Sequence, residues 1–190
     1  SVAIDPPYAL VGASRGNRDE SILRKQGSVY LFQQDTLGTW LLINEVAVGD
    51  LGEFTQFGSS VAMSDGMAVV GAPGFTGGGA AFVFQYPEMG PTEPVILQPT
   101  EEIPPYSYGR SVAISNGAIA IGGRYIVAVH RCSVDSGVVT TELEQIVWAE
   151  QPYRRTLGFA ESVAIFDRYL VIGDPRSYSD GIASKGQALI

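Results

Sequence analysis

The chain has 190 residues, of which 45% are hydrophobic and 17% charged, and its 20 Asp and Glu against 12 Lys and Arg give a formal net charge of −8. The apolar fraction excludes a disordered chain, and the negative charge argues against a nucleic acid or an anionic membrane surface as partner. No apolar run approaches the ~20 residues of a membrane-spanning helix, and the only cysteine, Cys132, excludes a disulfide within the chain.

A Ser-Val-Ala-hydrophobic segment occurs four times along the chain. The four copies begin at Ser1, Ser60, Ser111 and Ser162. They are separated by 59, 51 and 51 residues, and a glycine follows 11 positions after each serine, at Gly12, Gly71, Gly122 and Gly173. An aromatic residue lies three positions before each of the later serines, at Phe57, Tyr108 and Phe159. An offset that stays constant while the outer spacing changes indicates an internal repeat.

Each repeat is predicted to contain short β-strands. The predicted strands are 1–4, 9–11, 28–32 and 40–43; then 60–63, 68–70, 81–84 and 94–97; then 111–114, 119–121, 125–129 and 138–147; and finally 162–165, 170–172 and 187–190. Asp65-Gly66 and Asn116-Gly117 favour positive φ and therefore two-residue hairpin turns. Because no apolar period of 3.6 residues persists for ten residues, the chain is predicted to be all-β.

Four antiparallel strands repeated about every 50 residues predict the blades of a β-propeller. The strand count gives three complete blades and three strands of a fourth, about 3.75 blades, in one partial propeller domain over 1–190. The predicted blades cover 1–56, 57–107, 108–158 and, incompletely, 159–190. Small residues in each first strand fit crowding around a central axis. A β-sandwich with similar-looking strands is the alternative fold.

Three segments of the second repeat carry a recognisable pattern. Residues 57–62 read Phe-Gly-Ser-Ser-Val-Ala, 70–73 read Val-Gly-Ala-Pro, and 79–84 read Gly-Ala-Ala-Phe-Val-Phe. This pattern resembles the FG-GAP repeat of integrin α-subunits and of many secreted proteins, and the run from Gly27 into Phe57-Gly58 resembles its bacterial-type form. The later copies depart from it, since Phe159-Ala160 replaces Phe-Gly. The resemblance implies a seven-bladed ring and an extracellular or cell-surface protein for adhesion, partner binding or assembly of a surface structure or fibre.

The ring can be completed in three ways. The chain can be about half of a seven-bladed ring, which the resemblance favours, or a compact four-bladed ring lacking one strand. Alternatively, neighbouring copies can pair their open edges, as in a fibre.

The resemblance also raises the question of calcium, because many repeats of this family hold it in a carboxylate-rich loop between the first two strands. Calcium takes six to eight oxygen ligands, most of them from closely spaced carboxylates. The corresponding turns here, at 5–8, 64–66, 115–117 and 166–169, offer at most one carboxylate each. We therefore expect no calcium in these hairpins, and no other cofactor is indicated.

The sequence shows no catalytic constellation. His130 and Cys132 would share one face of a strand without a third group to orient the imidazole. We expect His130 to be a structural polar residue near a blade edge and Cys132 a buried small hydrophobe, with a bond to a cysteine outside the chain as the alternative. The neighbouring carboxylates Asp19-Glu20 and Glu101-Glu102 fall in predicted loops and are expected to be solvated. The chain is therefore predicted not to be an enzyme; the alternative is a propeller domain of a secreted carbohydrate-active enzyme whose active residues lie outside this chain.

Strand alternation places the connections between second and third strands on the same face as the links between blades. Longer and more variable loops on a rigid scaffold are where binding concentrates, and aromatic and Arg residues are enriched in interface hot spots. We therefore expect this face to contact a protein or glycan partner, including neighbouring copies or remaining blades; the alternative is that its aromatic residues seal blade against blade. The candidate residues are Glu53, Phe54, Tyr106, Trp148, Tyr153, Arg154, Arg155, Arg176 and Tyr178.

Overall fold

The computed structural model describes residues 1–15, 26–46, 48, 51–87, 93–100, 106–149 and 158–175, and the backbone of 187–189. In these ranges the regular structure is entirely β-strand. Sheet 1 contains β1 (Val2–Asp5), β2 (Tyr8–Ala13), β3 (Ser28–Gln34) and β4 (Trp40–Val46). Sheet 2 contains β5 (Ser60–Ser64), β6 (Met67–Ala72), β7 (Ala80–Gln85) and β8 (Val95–Leu97). Sheet 3 contains β9 (Ser111–Ser115), β10 (Ala118–Gly122), β11 (Ile126–Asp135) and β12 (Val138–Trp148), and sheet 4 contains β13 (Ser162–Phe166), β14 (Tyr169–Asp174) and β15 (Gln187–Leu189).

Each sheet pairs its strands in chain order, and every pairing between the strands is antiparallel. The predicted all-β class and four-strand unit are therefore confirmed, and each sheet lies within one of the four intervals expected from the repeat. The main difference is β11, which continues to Asp135 although the sequence predicted its end at Val129. A register shift follows Val129, and His130 and Cys132 are both buried beyond it. The buried face of β11 therefore continues beyond the hydrophobic residues 125–129.

The hairpin turns have the backbone conformation that their residues favour. Asp65 and Gly66 have φ values of 52° and 78°, and Asn116 and Gly117 have 49° and 74°. Positive φ at both central residues is the feature that matches a two-residue turn to the twist of its strands. These turns are therefore determined locally, by residues that tolerate the left-handed region.

The four sheets are arranged side by side, with their first strands adjacent. β1 contacts β5, β5 contacts β9, and β9 contacts β13. Buried clusters lie between successive sheets: Leu10 and Leu31 of sheet 1 pack with Val61 and Phe82 of sheet 2, and comparable clusters join sheets 2 and 3 and sheets 3 and 4. This arrangement is consistent with propeller blades around a common centre.

A hydrogen bond from three of the four repeat serines joins one sheet to the next, and we call it the serine latch. The Ser60 hydroxyl donates to the Gly109 carbonyl oxygen at 3.0 Å. Ser1 donates in the same way to Gly58 at 2.8 Å, and Ser111 donates to Ala160 at 2.7 Å. In each pair the acceptor is the residue that follows the aromatic residue of the next repeat. The serine was expected only to be small, whereas its hydroxyl is the feature that connects the sheets.

The constant spacing of 11 residues between serine and glycine follows from the same contact. Ser60 and Gly71 are cross-strand partners in β5 and β6. A Cβ atom on Gly71 would lie 1.9 Å from the Gly109 carbonyl oxygen and 2.3 Å from the Ser60 Oγ. Only glycine therefore leaves room for the next repeat to approach this closely. Ala160, which replaces the usual glycine, keeps a positive φ of 54° and still accepts the latch from Ser111.

Candidate functional site

The links between sheets and the connections between second and third strands meet on one face, which we call the loop face. The Arg124 N–H, just after β10, donates to the Tyr106 carbonyl in the link before sheet 3 at 2.9 Å. The Gly74 N–H, just after β6, donates to the Thr55 carbonyl in the preceding link at 3.0 Å. The structure therefore brings together the two kinds of loop that strand alternation had assigned to the same face.

A group of three aromatic side chains and one arginine, partly exposed, lies on this face; we call Tyr106, Arg124, Tyr125 and Trp148 the loop-face cluster. The Tyr106 and Tyr125 rings pack edge to face, with centroids 6.0 Å apart and an interplanar angle of 80°. The guanidinium carbon of Arg124 lies 5.4 Å from the centre of the Tyr125 ring. The Ala149 N–H donates to the Tyr125 carbonyl at 2.8 Å, which places the end of β12, and with it Trp148, beside Tyr125.

This geometry presents ring area and hydrogen-bond donors to a partner. Tyr106 and Trp148 are exposed, whereas Arg124 and Tyr125 are half-buried and hold their positions by packing. A cation over an aromatic face is worth about 0.5–1 kcal/mol at an exposed site and more when a partner excludes water from it. The cluster therefore offers apolar ring area, phenol and indole donors, and one positive charge on an otherwise acidic protein.

The candidate residues from the sequence are distributed over several loops. Tyr106 and Trp148 belong to the loop-face cluster, and Glu53 and Phe54 lie in the link one repeat earlier, where Phe54 is exposed. The remaining candidates lie outside the described residues: Tyr153, Arg154, Arg155, Arg176 and Tyr178.

Sequence reasoning missed Arg124 and Tyr125. The third repeat nearly lacks the connection between its second and third strands. Because longer loops were expected to carry the binding residues, this short connection supplied no candidate. The available signal was the Arg-Tyr pair directly after Gly122-Gly123, at the position where the other repeats carry their longer loops.

The opposite face contains the hairpin turns, and one carboxylate joins two of them. The Asp5 carboxylate accepts hydrogen bonds from the Tyr86 hydroxyl and from the Asp65 N–H, the latter at 3.1 Å. The Gly66 N–H donates to the Tyr86 hydroxyl at 3.2 Å. Burial first, and the bond to Asp5 second, raise the pKa of Tyr86. This network holds the turns of sheets 1 and 2 together.

His130 is buried between sheets 2 and 3, which corrects the expectation that it lies near a blade edge. Its Nε2 atom and the Tyr108 hydroxyl form a buried hydrogen bond of 2.8 Å. Strand alternation places His130 on the same face of β11 as Ile126 and Ala128, which pack toward sheet 2, and burial lowers the pKa of its imidazole. Cys132 points the same way and its thiol donates to the Met67 sulfur at 3.2 Å, while burial raises its pKa. Cys132 is thus the buried hydrophobe that was predicted, and neither side chain has the exposure that nucleophilic catalysis requires.

We expect His130 to make folding stability depend on pH. The pKa of His130 in the folded protein lies below the value of about 6.5 in the unfolded chain. Below this pH the unfolded state therefore binds a proton more readily than the folded state does. The contribution of neutral His130 to the free energy of unfolding is fully present above the unfolded-state pKa. It is lost as the pH falls below that pKa, by at most about 1.4 kcal/mol per pH unit. Urea denaturation between pH 7.5 and 5 will show a steeper loss for the wild type than for His130→Gln. Parallel curves for the two proteins would contradict this assignment.

No metal-binding group and no membrane span is found in the part of the chain that the structure describes. There, no three His, Cys, Asp or Glu side chains come together as a possible metal site. Within the same ranges, no helix is long and apolar enough to cross a bilayer. The paired carboxylates Asp19-Glu20 and Glu101-Glu102 lie outside these ranges.

Comparison with known proteins identifies the repeat. The family model described as FG-GAP repeat matches residues 40–84, from the outer strand β4 of sheet 1 to β7 of sheet 2. No curated protein matched the chain. The matched segment includes Phe57-Gly58, the repeat serine Ser60 and its partner Gly71, which form the contacts between sheets. The chain therefore carries an FG-GAP repeat, and its four antiparallel sheets are consistent with the blades of an FG-GAP β-propeller.

Proposed function

We propose that the protein is a non-enzymatic, extracellular or cell-surface scaffold that binds a protein or glycan partner through the loop-face cluster. FG-GAP repeats are frequent in surface and adhesion proteins, which supports this location and role. The scaffold needs neither metal nor cofactor for this task. Its function is to hold exposed binding groups in a fixed arrangement.

The observation that carries the proposal is the exposed packing of Tyr106 on Tyr125 with Arg124 over the second ring. Tyr, Trp and Arg are the residues that most often dominate binding energy at interfaces, because they combine large area with few rotatable bonds or with a rigid donor fork. Here backbone hydrogen bonds from Arg124 and to Tyr125 fix the loops that carry them. A partner therefore meets groups that are already ordered, and less entropy is lost on binding.

The chemistry of the described residues supports a binding role over a catalytic one. Acid–base catalysis needs ionisable groups in contrasting environments that face a common cleft. The one imidazole is buried and hydrogen-bonded to Tyr108, and the Asp5 carboxylate is occupied by Tyr86 and a backbone N–H. These groups stabilise the interfaces between sheets.

The chain contains a matched pair of arginines for testing the proposal. Arg124 on the loop face and Arg168 in the hairpin turn of sheet 4 each lie 5.4 Å from the ring of the following tyrosine. We expect Arg124→Ala to weaken partner binding by about tenfold, the effect of a typical hot spot, and Arg168→Ala to leave it unchanged. Both variants should keep a melting temperature close to that of the wild type, since Arg168 is exposed and the backbone hydrogen bond of the half-buried Arg124 is retained by alanine.

Binding is measured against a panel of immobilised extracellular-matrix proteins and a glycan array, with the wild type and both variants at equal concentration. Loss confined to Arg124→Ala supports the proposal. Equal loss in both variants, binding to none of these probes, or turnover of a bound polysaccharide would overturn it.

A further inference from the structure

The contact between sheets 2 and 3 contains a polar pair where the contact between sheets 1 and 2 contains two phenylalanines. The Phe57 ring, in the link before sheet 2, packs edge to face on Phe84 of β7, with centroids 6.3 Å apart. Tyr108 follows Phe57 by 51 residues, and His130 has in β11 the cross-strand position that Phe84 has in β7. The third repeat therefore places a hydrogen-bonded Tyr–His pair where the second repeat places a pair of rings.

This polar pair is buried and has no alternative partner. Tyr108 is fully buried and His130 is 7% exposed, and 2.8 Å separates the hydroxyl oxygen from the imidazole Nε2 atom. Among the described residues, neither side chain makes another hydrogen bond. Two phenylalanines fill the equivalent space one repeat earlier, so packing does not require polar groups here. A buried polar pair is costly when its bond is lost, which makes this contact sensitive to the protonation of either member.

The side chains around His130 are mostly apolar. Its cross-strand partners are Ile119 of β10 and Leu143 of β12. Cys132, two positions later on the same face of β11, contacts Met67 of β6 in sheet 2. A positive charge on the imidazole would therefore be buried among apolar groups, which is unfavourable unless a negative charge is close by.

No negative charge in the described part of this contact faces His130. The titratable groups beside it are Tyr108 and Cys132, and burial raises the pKa of both, so both are neutral near pH 7. The strands of sheet 2 contain no charged residue. Arg110, at the end of the link before sheet 3, is paired with Glu161. The charged residues of β11 and β12 lie on the opposite, exposed side of their hairpin: Arg131, Asp135, Glu142 and Glu144.

Tyr108 belongs to the link that carries Tyr106 of the loop-face cluster. The Tyr108 N–H donates to the Gly78 carbonyl oxygen in sheet 2, and the Tyr106 carbonyl oxygen accepts from the Arg124 N–H, both at 2.9 Å. The link is thus held by sheet 2, by the turn after β10 and, through the Tyr108 side chain, by His130. Only the last of these three bonds contains a group that titrates near neutral pH.

We propose that the Tyr108–His130 hydrogen bond positions the link that carries Tyr106, and that protonation of His130 in mildly acidic solution releases this link and loosens the loop-face cluster. The Tyr108 hydroxyl has a proton to donate, and Nε2 is its only acceptor among the described residues, so the neutral imidazole accepts there. A protonated imidazole carries a proton on both nitrogens and cannot accept. Release of the link lets both groups reach water. The proposal goes beyond partner binding, because it describes when the cluster is ordered.

The direction of the pH effect follows from the two environments of His130. Burial lowers the pKa of the imidazole while the link is closed, whereas an opened link returns it to water and to a pKa of about 6.5. The open form therefore binds the proton more tightly. Its population rises as the pH falls below that value, by at most about tenfold per pH unit. His130 is the only histidine in the chain, so no other imidazole contributes to this change.

Amide hydrogen exchange, resolved by residue with NMR, measures the release without any partner. Between pH 7.5 and 5.0 we expect the protection factors of the Tyr108 and Arg124 amides to fall by about tenfold or more. The Phe57 amide is the matched comparison, because it donates to the Gln26 carbonyl oxygen at 2.8 Å in the link one repeat earlier. At pH 5.0 it should stay at least about tenfold better protected than Tyr108.

Two variants remove the titrating group. Tyr108→Phe together with His130→Phe installs the ring pair of the preceding contact, and His130→Gln keeps a polar group that does not titrate. Both should abolish the pH-dependent loss of protection at Arg124. The proposal is overturned if the wild-type amides of Tyr108 and Arg124 keep their protection at pH 5.0, or if the loss persists in both variants. A common protection factor for Tyr108 and Phe57 at pH 5.0 would also overturn it, because both amides would then exchange through unfolding of the whole chain.

Discussion

Gly71→Ala is expected to lower the free energy of unfolding by about 3 kcal/mol, an overpacking cost at the upper end of the usual range. The added methyl group would lie 1.9 Å from the Gly109 carbonyl oxygen, a main-chain atom that cannot rotate away. The Gly109 N–H itself donates a hydrogen bond to the Gly122 carbonyl oxygen at 3.1 Å, so the backbone of Gly109 is fixed and cannot move away from the added methyl group. Relief of the clash therefore requires sheets 2 and 3 to separate.

Gly173→Ala is the matched control for this prediction. Gly173 holds the same position in sheet 4, but its nearest neighbour is the Oγ atom of the exposed Ser162, a flexible side chain. Replacing glycine by alanine where the backbone permits it can even stabilise, by about 0.4–1 kcal/mol, through the unfolded state. Urea denaturation of both variants measures the difference. Equal losses would show that the cost arises within each sheet and not at the serine latch.

Phe57→Ala is expected to destabilise the chain by about 3–5 kcal/mol, as large-to-small changes of a buried phenylalanine do. The Phe57 ring is fully buried between sheets 1 and 2, with its centroid 5.3 Å from that of Phe82 and 6.3 Å from that of Phe84. Truncation of Phe57 leaves a cavity beside the Phe82 and Phe84 rings. These rings belong to a β-strand, so they cannot easily move to fill it. A loss of this size is a large fraction of the 5–15 kcal/mol that a typical domain has in total.

Phe54→Ala provides the comparison within the same link. Phe54 lies three residues earlier and is 55% exposed, so its removal should change stability by less than about 0.5 kcal/mol. Equilibrium unfolding in urea gives both values. If Phe54→Ala cost as much as Phe57→Ala, the exposed aromatic residues of the loop face would belong to the scaffold and would not be free to bind a partner.

The two predictions concern the elements that the sequence indicated most clearly. The serine, the glycine 11 positions later and the preceding aromatic residue recur because each one takes part in the contact between sheets. Their spacing is visible in the sequence, since cross-strand partners around a two-residue turn lie at a constant separation. The identity of the contact is not visible, because the latch acceptor is a backbone carbonyl of the next repeat, about 50 residues away.

Local residue chemistry predicted the turns and most strands well. Asp65-Gly66 and Asn116-Gly117 adopt the positive φ values that these pairs favour, whatever packs around them. The extension of β11 could not be predicted in this way. His130 and Arg131 are polar in the sequence, and only the packing of sheet 2 against sheet 3 shows that the face shared by Ile126, Ala128 and His130 stays buried beyond Val129.

The loop-face cluster was predicted only in part. Tyr106 and Trp148 were recognised because aromatic residues in loops are conspicuous, but nothing in the sequence connects Tyr106 with Tyr125, 19 positions later. The contact exists because the link before sheet 3 and the turn after β10 meet through the Arg124 N–H and the Tyr106 carbonyl. Such proximity depends on how two connections of different length are folded over the sheet.

The all-β class, the repeat and the turn conformations could be predicted from the residues alone, because strand period, turn residues and repeat spacing act over short distances along the chain. The packing of the sheets was needed to learn which hydroxyl joins which sheet, that His130 is buried against Tyr108, and that Val2 and Ile4 are exposed where Val61 and Met63 are covered. Burial depends on what packs against a face: the similar segments at Ser1 and Ser60 differ in burial because, among the described residues, a preceding sheet packs against the second segment and none packs against the first.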